Sequence, residues 1–161
     1  MSQTSYNYNT PMGAAGGIVD LAPHFIVAFT NESANGAMGF GMGVVTGTTA
    51  GKTVKVPVAG SSATDFEGIV TNRRTTELDL EGNLSLRQKC TVGIMRYGVI
   101  YGLLADGADP AYGKALYMVK SGDDAGKFTD SSSSTLAIKG RFLSGAENGI
   151  AMIELFNQAQ S

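Results

Sequence analysis

The clearest signal along the chain is a period of two. Val54, Val56 and Val58 alternate with Thr53, Lys55 and Pro57. Leu136, Ile138, Gly140 and Phe142 share a face opposite Ala137, Lys139 and Arg141. Successive side chains of a strand point to opposite faces, so this spacing predicts half-buried β-strands. Leu78 and Leu80 alternate with Glu77 and Asp79, Leu84 and Leu86 with Ser85 and Arg87, and Glu81-Gly82-Asn83 lies between. That predicts a hairpin over 77–87 with one apolar face and a glycine-bearing turn. Shorter apolar runs predict strands at 18–19, 25–29, 42–46, 66–70, 89–95, 97–104, 115–119 and 149–156.

Proline and polar stretches punctuate these runs. Pro57 has no amide donor, so its strand is expected at an edge or to end there. Pro23 holds the residue before it extended and sets a turn between the first two segments. Polar loops are predicted at 31–41, 60–64, 106–113 and 121–134, with Phe128 tacked to the core. No long segment keeps the spacing of an amphipathic helix. The sum is an all-β chain of about ten short strands, a single compact β-barrel or β-sandwich over 17–161. Residues 1–16 are small, polar and aperiodic, which predicts a flexible, extended N-terminal arm. Its Tyr6 and Tyr8 are candidate anchors on a partner.

Composition narrows the function more than the fold. A chain of 161 residues with 43% hydrophobic content can fill one core unaided. Its 22 glycines have no three-residue period and fit tight turns and bulges. Charged residues are only 16% and the formal net charge is −2, so no strong positive field exists to hold nucleic acid. No apolar run nears the ~18 residues that would span a membrane as a helix. Ile18 to Phe29 is broken by Asp20, Pro23 and His24. Residues 1–19 contain no Lys or Arg, so no signal peptide is expected and the chain is expected to be made in a cytoplasm.

Candidate chemistry is sparse. Thr46-Gly47-Thr48-Thr49-Ala50-Gly51-Lys52-Thr53 ends like the phosphate loop of NTPases. Such a loop needs a helix N-terminus behind the phosphates, and the residues after Thr53 alternate as a strand, so a β-turn is expected instead. Gly39-Phe40-Gly41-Met42-Gly43 lacks the third glycine and the βαβ frame of a dinucleotide site. Cys90 and His24 are the sole residues of their kinds, which rules out an internal disulfide and a multi-histidine metal site. Asp106, Asp109, Asp123, Asp124 and Asp130 lack calcium-loop spacing and read as solvated turn residues. Arg73-Arg74 is the only basic doublet, suited to pairing with a carboxylate on a partner. No catalytic, metal or cofactor-binding residues are expected.

Taken in order, these segments resemble the capsid cement (decoration) proteins of tailed phages. The resemblance runs from Gly17-Ile18-Val19-Asp20 through Gly51-Lys52-Thr53-Val54-Lys55-Val56 to Phe66-Glu67-Gly68-Ile69-Val70. It continues through Val92-Gly93-Ile94-Met95-Arg96-Tyr97-Gly98-Val99-Ile100 and Tyr112-Gly113-Lys114-Ala115-Leu116-Tyr117 to the closing Ile150-Ala151-Met152-Ile153-Glu154-Leu155. The 77–87 hairpin is longer than the family's usual connection. The resemblance implies a non-enzymatic virion protein, assembled in the host cytoplasm, that binds the outer surface of the capsid shell. Its implied partner is the major capsid protein, and a homo-oligomer, with a trimer favoured, is implied too. Candidate contacts are Tyr6, Tyr8, Ile18, Val19, Arg73 and Arg74. A tail-tube or spike component and a glycan-binding β module are the competing readings.

Overall fold

The structure is a computed structural model that describes residues 13–19, 22–72 and 85–156. Nine strands make up the described fold. They are β1 (Phe25–Asn31), β2 (Gly43–Thr46), β3 (Thr53–Lys55), β4 (Phe66–Val70), β5 (Thr91–Leu103), β6 (Ala115–Val119), β7 (Phe128–Thr129), β8 (Thr135–Phe142) and β9 (Ile150–Leu155). One 3-10 turn at Ala63–Asp65 lies where a plain polar turn was expected. Asp65 accepts the Ser62 amide at 2.9 Å, and that local bond winds the turn.

The sheet runs β1-β3-β2-β4-β5-β9-β8-β6-β7, and β1 also pairs with β5. The second β1 pairing closes β1, β3, β2, β4 and the first half of β5 into a barrel. Only the β1–β3 contact is parallel among these pairs. The other half of β5 continues into an outer sheet with β9, β8, β6 and β7. A parallel bridge from Leu104 to Phe128 brings β7 back to the end of β5. The architecture is therefore a closed barrel with outer strands, which resolves the alternative of barrel or sandwich.

Two cores follow from the period of two. Phe29, Val44, Val54, Val70, Val92 and Ile94 form one buried cluster, with a residue from every strand of the barrel. Their sequence neighbours Val45, Ile69 and Met95 belong to a second cluster with Ile100, Met118, Phe128, Phe142 and Ile153. Adjacent residues of β2, β4 and β5 thus point alternately into the barrel and into the layer between barrel and outer sheet. A strand buried on both faces cannot alternate apolar with polar, so these read as unbroken runs such as Val44-Val45 and Ile94-Met95. Each such side chain, fully buried, stabilises the fold by about 1.5–3 kcal/mol.

The runs 89–95 and 97–104 are one 13-residue strand rather than two. Gly98 supplies the bend, at φ 127°. The strand changes partner there, since Tyr97 pairs with Phe25 and Gly98 with Leu155. A Cβ on Gly98 would stand 2.7 Å from the His24 Cβ, so no other residue fits the bend. The strand expected over 53–58 stops at Lys55. Pro57 has no donor, and the amides on either side are taken by serines: Val56 donates to Ser33 Oγ at 2.9 Å and Val58 to Ser61 Oγ at 3.0 Å. The 121–134 connection contains the short β7, and Phe128 there is fully buried. The predicted hairpin at 77–87 lies outside the described residues up to 84; its last apolar residue, Leu86, is buried in the barrel core.

Asn31 is the buried polar pin at the end of β1. Its side chain donates to Arg87 O at 3.0 Å and accepts from Ser33 N at 2.9 Å. Its backbone bonds Cys90 O and Lys89 N at 2.9 and 2.7 Å, so the group is satisfied despite complete burial.

The seam between the cores predicts where the fold is least tolerant. Gly68 sits at φ 151°, and a Cβ there would lie 2.2 Å from Met95 O. Gly68→Ala is expected to destabilise by roughly 2–4 kcal/mol, because backbone must shift in a sheet buried on both faces. Gly51→Ala, at φ 75° with nothing near its Cβ, is expected to lose about 1 kcal/mol. Urea unfolding of the two variants checks the ordering, and equal losses would contradict it.

Candidate functional site

The N-terminal segment meets the domain along β5. Where β5 leaves the barrel, one edge is taken by β9 and the other would be bare. Residues 16–19 cover it: Gly16 N donates to Tyr101 O at 2.8 Å, Tyr101 N to Gly17 O at 3.0 Å, and Val19 N to Val99 O at 3.2 Å. Ile18 bridges Ile100 and packs against the outer core. An unpaired edge is a template for wrong partners, so this short ribbon also protects the sheet.

Two glycines make the docking possible. Gly16 and Gly41 cross at φ 76° and 77°. A Cβ on Gly16 would lie 2.9 Å from Val70 O and 3.0 Å from Gly41 N, and one on Gly41 would lie 3.1 Å from Leu103 N. Asn72 N donates to Gly16 O at 3.0 Å, tying the crossing to the end of β4. Gly13 lies over the Tyr101 ring, where a Cβ would come within 2.8 Å. Of the predicted contact residues, Ile18 and Val19 are thus half-buried members of this ribbon. Tyr6, Tyr8, Arg73 and Arg74 lie outside the described residues. Of the expected arm at 1–16, residues 13–16 are described and belong to the docked stretch.

Large exposed apolar side chains occur at Phe25, Val58, Tyr112 and Phe156. Phe25 stacks on Tyr97 with ring centroids 6.2 Å apart. Tyr112 is 71% exposed and lies under the Arg141 guanidinium at 5.6 Å. Arg141 also bonds Glu154 at 2.7 Å, which holds its proton more firmly than usual.

The turn with the phosphate-loop ending is occupied from within. Glu32, just past β1, accepts Thr48 N at 2.6 Å and Thr53 Oγ at 2.8 Å, and the Thr48 hydroxyl bonds its other oxygen. These bonds, from the Thr48 hydroxyl first, hold the carboxyl below the usual range. The sequence predicts a turn at 46–53 but not that Glu32 fills it.

The acidic loops hold each other in place. Asp124 accepts Lys127 Nζ at 2.7 Å and Asp106 N at 3.0 Å. Asp130 accepts Lys114 Nζ at 2.9 Å and Asp109 N at 3.0 Å. The lysine bonds and then the backbone amides lower both carboxyls, and the Asp130 bond raises Lys114. Among the described residues no group of three His, Cys, Asp or Glu could hold a metal ion. His24 and Cys90 sit at opposite ends of the β1–β5 ladder, beside Gly98 and Thr91 respectively. At ~3.3 Å per residue they are about 20 Å apart, so they form no catalytic pair.

These features define a class: an all-β module with a double core and tied-down loops, whose surface offers a docked N-terminal ribbon and scattered aromatics. The family model described as "Structural cement protein (E217 gp24/Pam3 gp6)" matches residues 2–156. The chain belongs to this phage structural cement protein family; it decorates and stabilises a phage capsid, binding its shell proteins, and its place is the virion. A chain of the solved structure "The capsid of Myoviridae Phage XM1" has the same fold, with TM-score 0.72 at 16% identity over 96% of both chains. Among curated proteins there is no match.

The loop carboxylates set an acid limit. Asp124 and Asp130 titrate below their ordinary value in the folded chain. Their contribution is therefore full above the unfolded range, near pH 4, and is lost as pH falls through the lowered folded values. The urea midpoint is expected to fall between pH 6 and pH 3, by less in Asp124→Asn/Asp130→Asn. An equal fall in both proteins would contradict this assignment.

Proposed function

We propose that the chain binds the outer surface of the shell at junctions between capsomers, as a homotrimer, and that it acts by cross-bridging rather than by catalysis. The observation that supports this most is the glycine crossing at Gly16 and Gly41. It fixes the point from which residues 1–12 depart, so the segment ahead of it starts from a rigid base.

That segment is charge-free and rich in small residues. Its backbone amides are suited to adding a strand to an exposed capsid edge, with Tyr6 and Tyr8 as amphipathic anchors. Ile18 and Val19 hold the root against β5 and so position it. Arg73 and Arg74 pair with carboxylates on the shell. Fixing an arm on the shell costs conformational entropy, so one arm binds weakly. Several arms of a trimer, engaged on neighbouring subunits, gain avidity from high effective concentration. Ligand that binds the intact shell better than the ruptured one stabilises the intact shell by mass action.

Removing residues 1–12 tests the reading. The truncated chain is expected to keep its melting temperature and to lose at least about tenfold in affinity for undecorated expanded capsids, a loss of ~1.4 kcal/mol or more. Co-sedimentation with capsids measures it, and unaltered binding sinks the arm as the bridge.

A further inference from the structure

We propose that the turn at residues 47–53 is a carboxylate-binding site, filled in cis by Glu32 and open to a carboxylate of a partner when Glu32 leaves. The donors are arranged for two coplanar oxygens. Thr48 N at 2.6 Å and Thr53 Oγ at 2.8 Å serve Glu32 Oε2, while the Thr48 hydroxyl serves Oε1. This bidentate pattern fits a carboxylate, and hydrogen bonds to a charged acceptor are among the strongest available.

The cradle has a frame of its own. Thr53 N and Lys52 N donate to Thr49 O at 3.0 and 3.1 Å, Gly47 N donates to Thr53 O at 2.8 Å, and Thr49 N donates to Thr53 Oγ at 3.1 Å. None of these bonds involves Glu32, so the turn on either side of Thr48 keeps its shape when Glu32 departs, and a preorganised backbone lowers the entropic cost of binding. Gly47 closes the back: a Cβ there would stand 2.0 Å from Glu32 Oε2. Backbone approaching an anion this closely requires glycine.

The site is reachable. Thr48 to Lys52 are exposed, and Glu32 lies on the wall of an open groove with Lys55, Val56, Val58 and Ala125. Lys55 adds positive charge beside the carboxylate. A partner's Asp or Glu entering along this groove meets the same donors. The proposal is independent of the arm, since the donors and Glu32 all lie between residues 32 and 53, and its failure leaves the arm reading untouched.

The test is chemical rescue of Glu32→Ala in the full chain. Melting is followed in rising sodium acetate against sodium chloride at equal ionic strength. The variant is expected to melt below the parent, to regain several degrees saturably with acetate, and to lose that response when Thr48→Ala is added; the parent should not respond. No acetate effect beyond chloride overturns the proposal, as does a response that survives Thr48→Ala. A larger response to inorganic phosphate overturns the carboxylate assignment. Should Glu32→Ala fail to fold, amide exchange in Glu32→Gln decides: Thr48 N is expected to exchange roughly tenfold faster than in the parent, and unaltered exchange overturns the proposal.

Discussion

The structure depends on one strand that is shared by both cores. β5 runs through the barrel and out into the second sheet, and its side chains enter both cores. Val92 and Ile94 close the barrel, while Met95 and Ile100 pack the outer layer. Its polar residues keep to the half-buried and exposed positions, with Arg96 ion-paired to Glu67, and backbone must approach backbone closely where the strand changes partner. Gly98 at the bend, Gly68 against Met95 O and Gly102 against Ile153 are consequences of that crowding. So is the docked N-terminal ribbon, which takes the edge that β9 leaves open.

Much of this was legible in the sequence. The single-faced strands, such as β8 with Leu136, Ile138 and Phe142 inward, alternate cleanly, and the pattern finds them. The shared strands do not alternate, so β5 reads as two runs, and only tertiary pairing shows that Gly98 bends one strand instead of ending it. Pro57 announces the end of β3, but its serine caps come from 33 and 61, beyond any local window. Barrel closure rests on β1 pairing with both β3 and β5. That long-range choice leaves no periodic mark.

The surface was legible in its chemistry more than in its connections. The 46–53 segment was expected as a β-turn leading into a strand, and the structure has a turn there followed by β3. Its partner, Glu32, is an ordinary loop acid until the fold brings it to Thr48. The aspartates of the 106–130 loops likewise look solvated in sequence; in the structure Asp124 and Asp130 staple neighbouring loops through backbone amides. Low charge is consistent with both findings, since several of the charges present are spent on internal pairs.

A rigid double core with laced loops suits a protein that must hold a shell together without changing shape. A cement that clamps neighbouring subunits is spread over the whole capsid. The most direct measurement is its copy number relative to the major capsid protein in purified virions. A ratio near one-to-one is the predicted result, whereas a handful of copies per particle, or none, would contradict it.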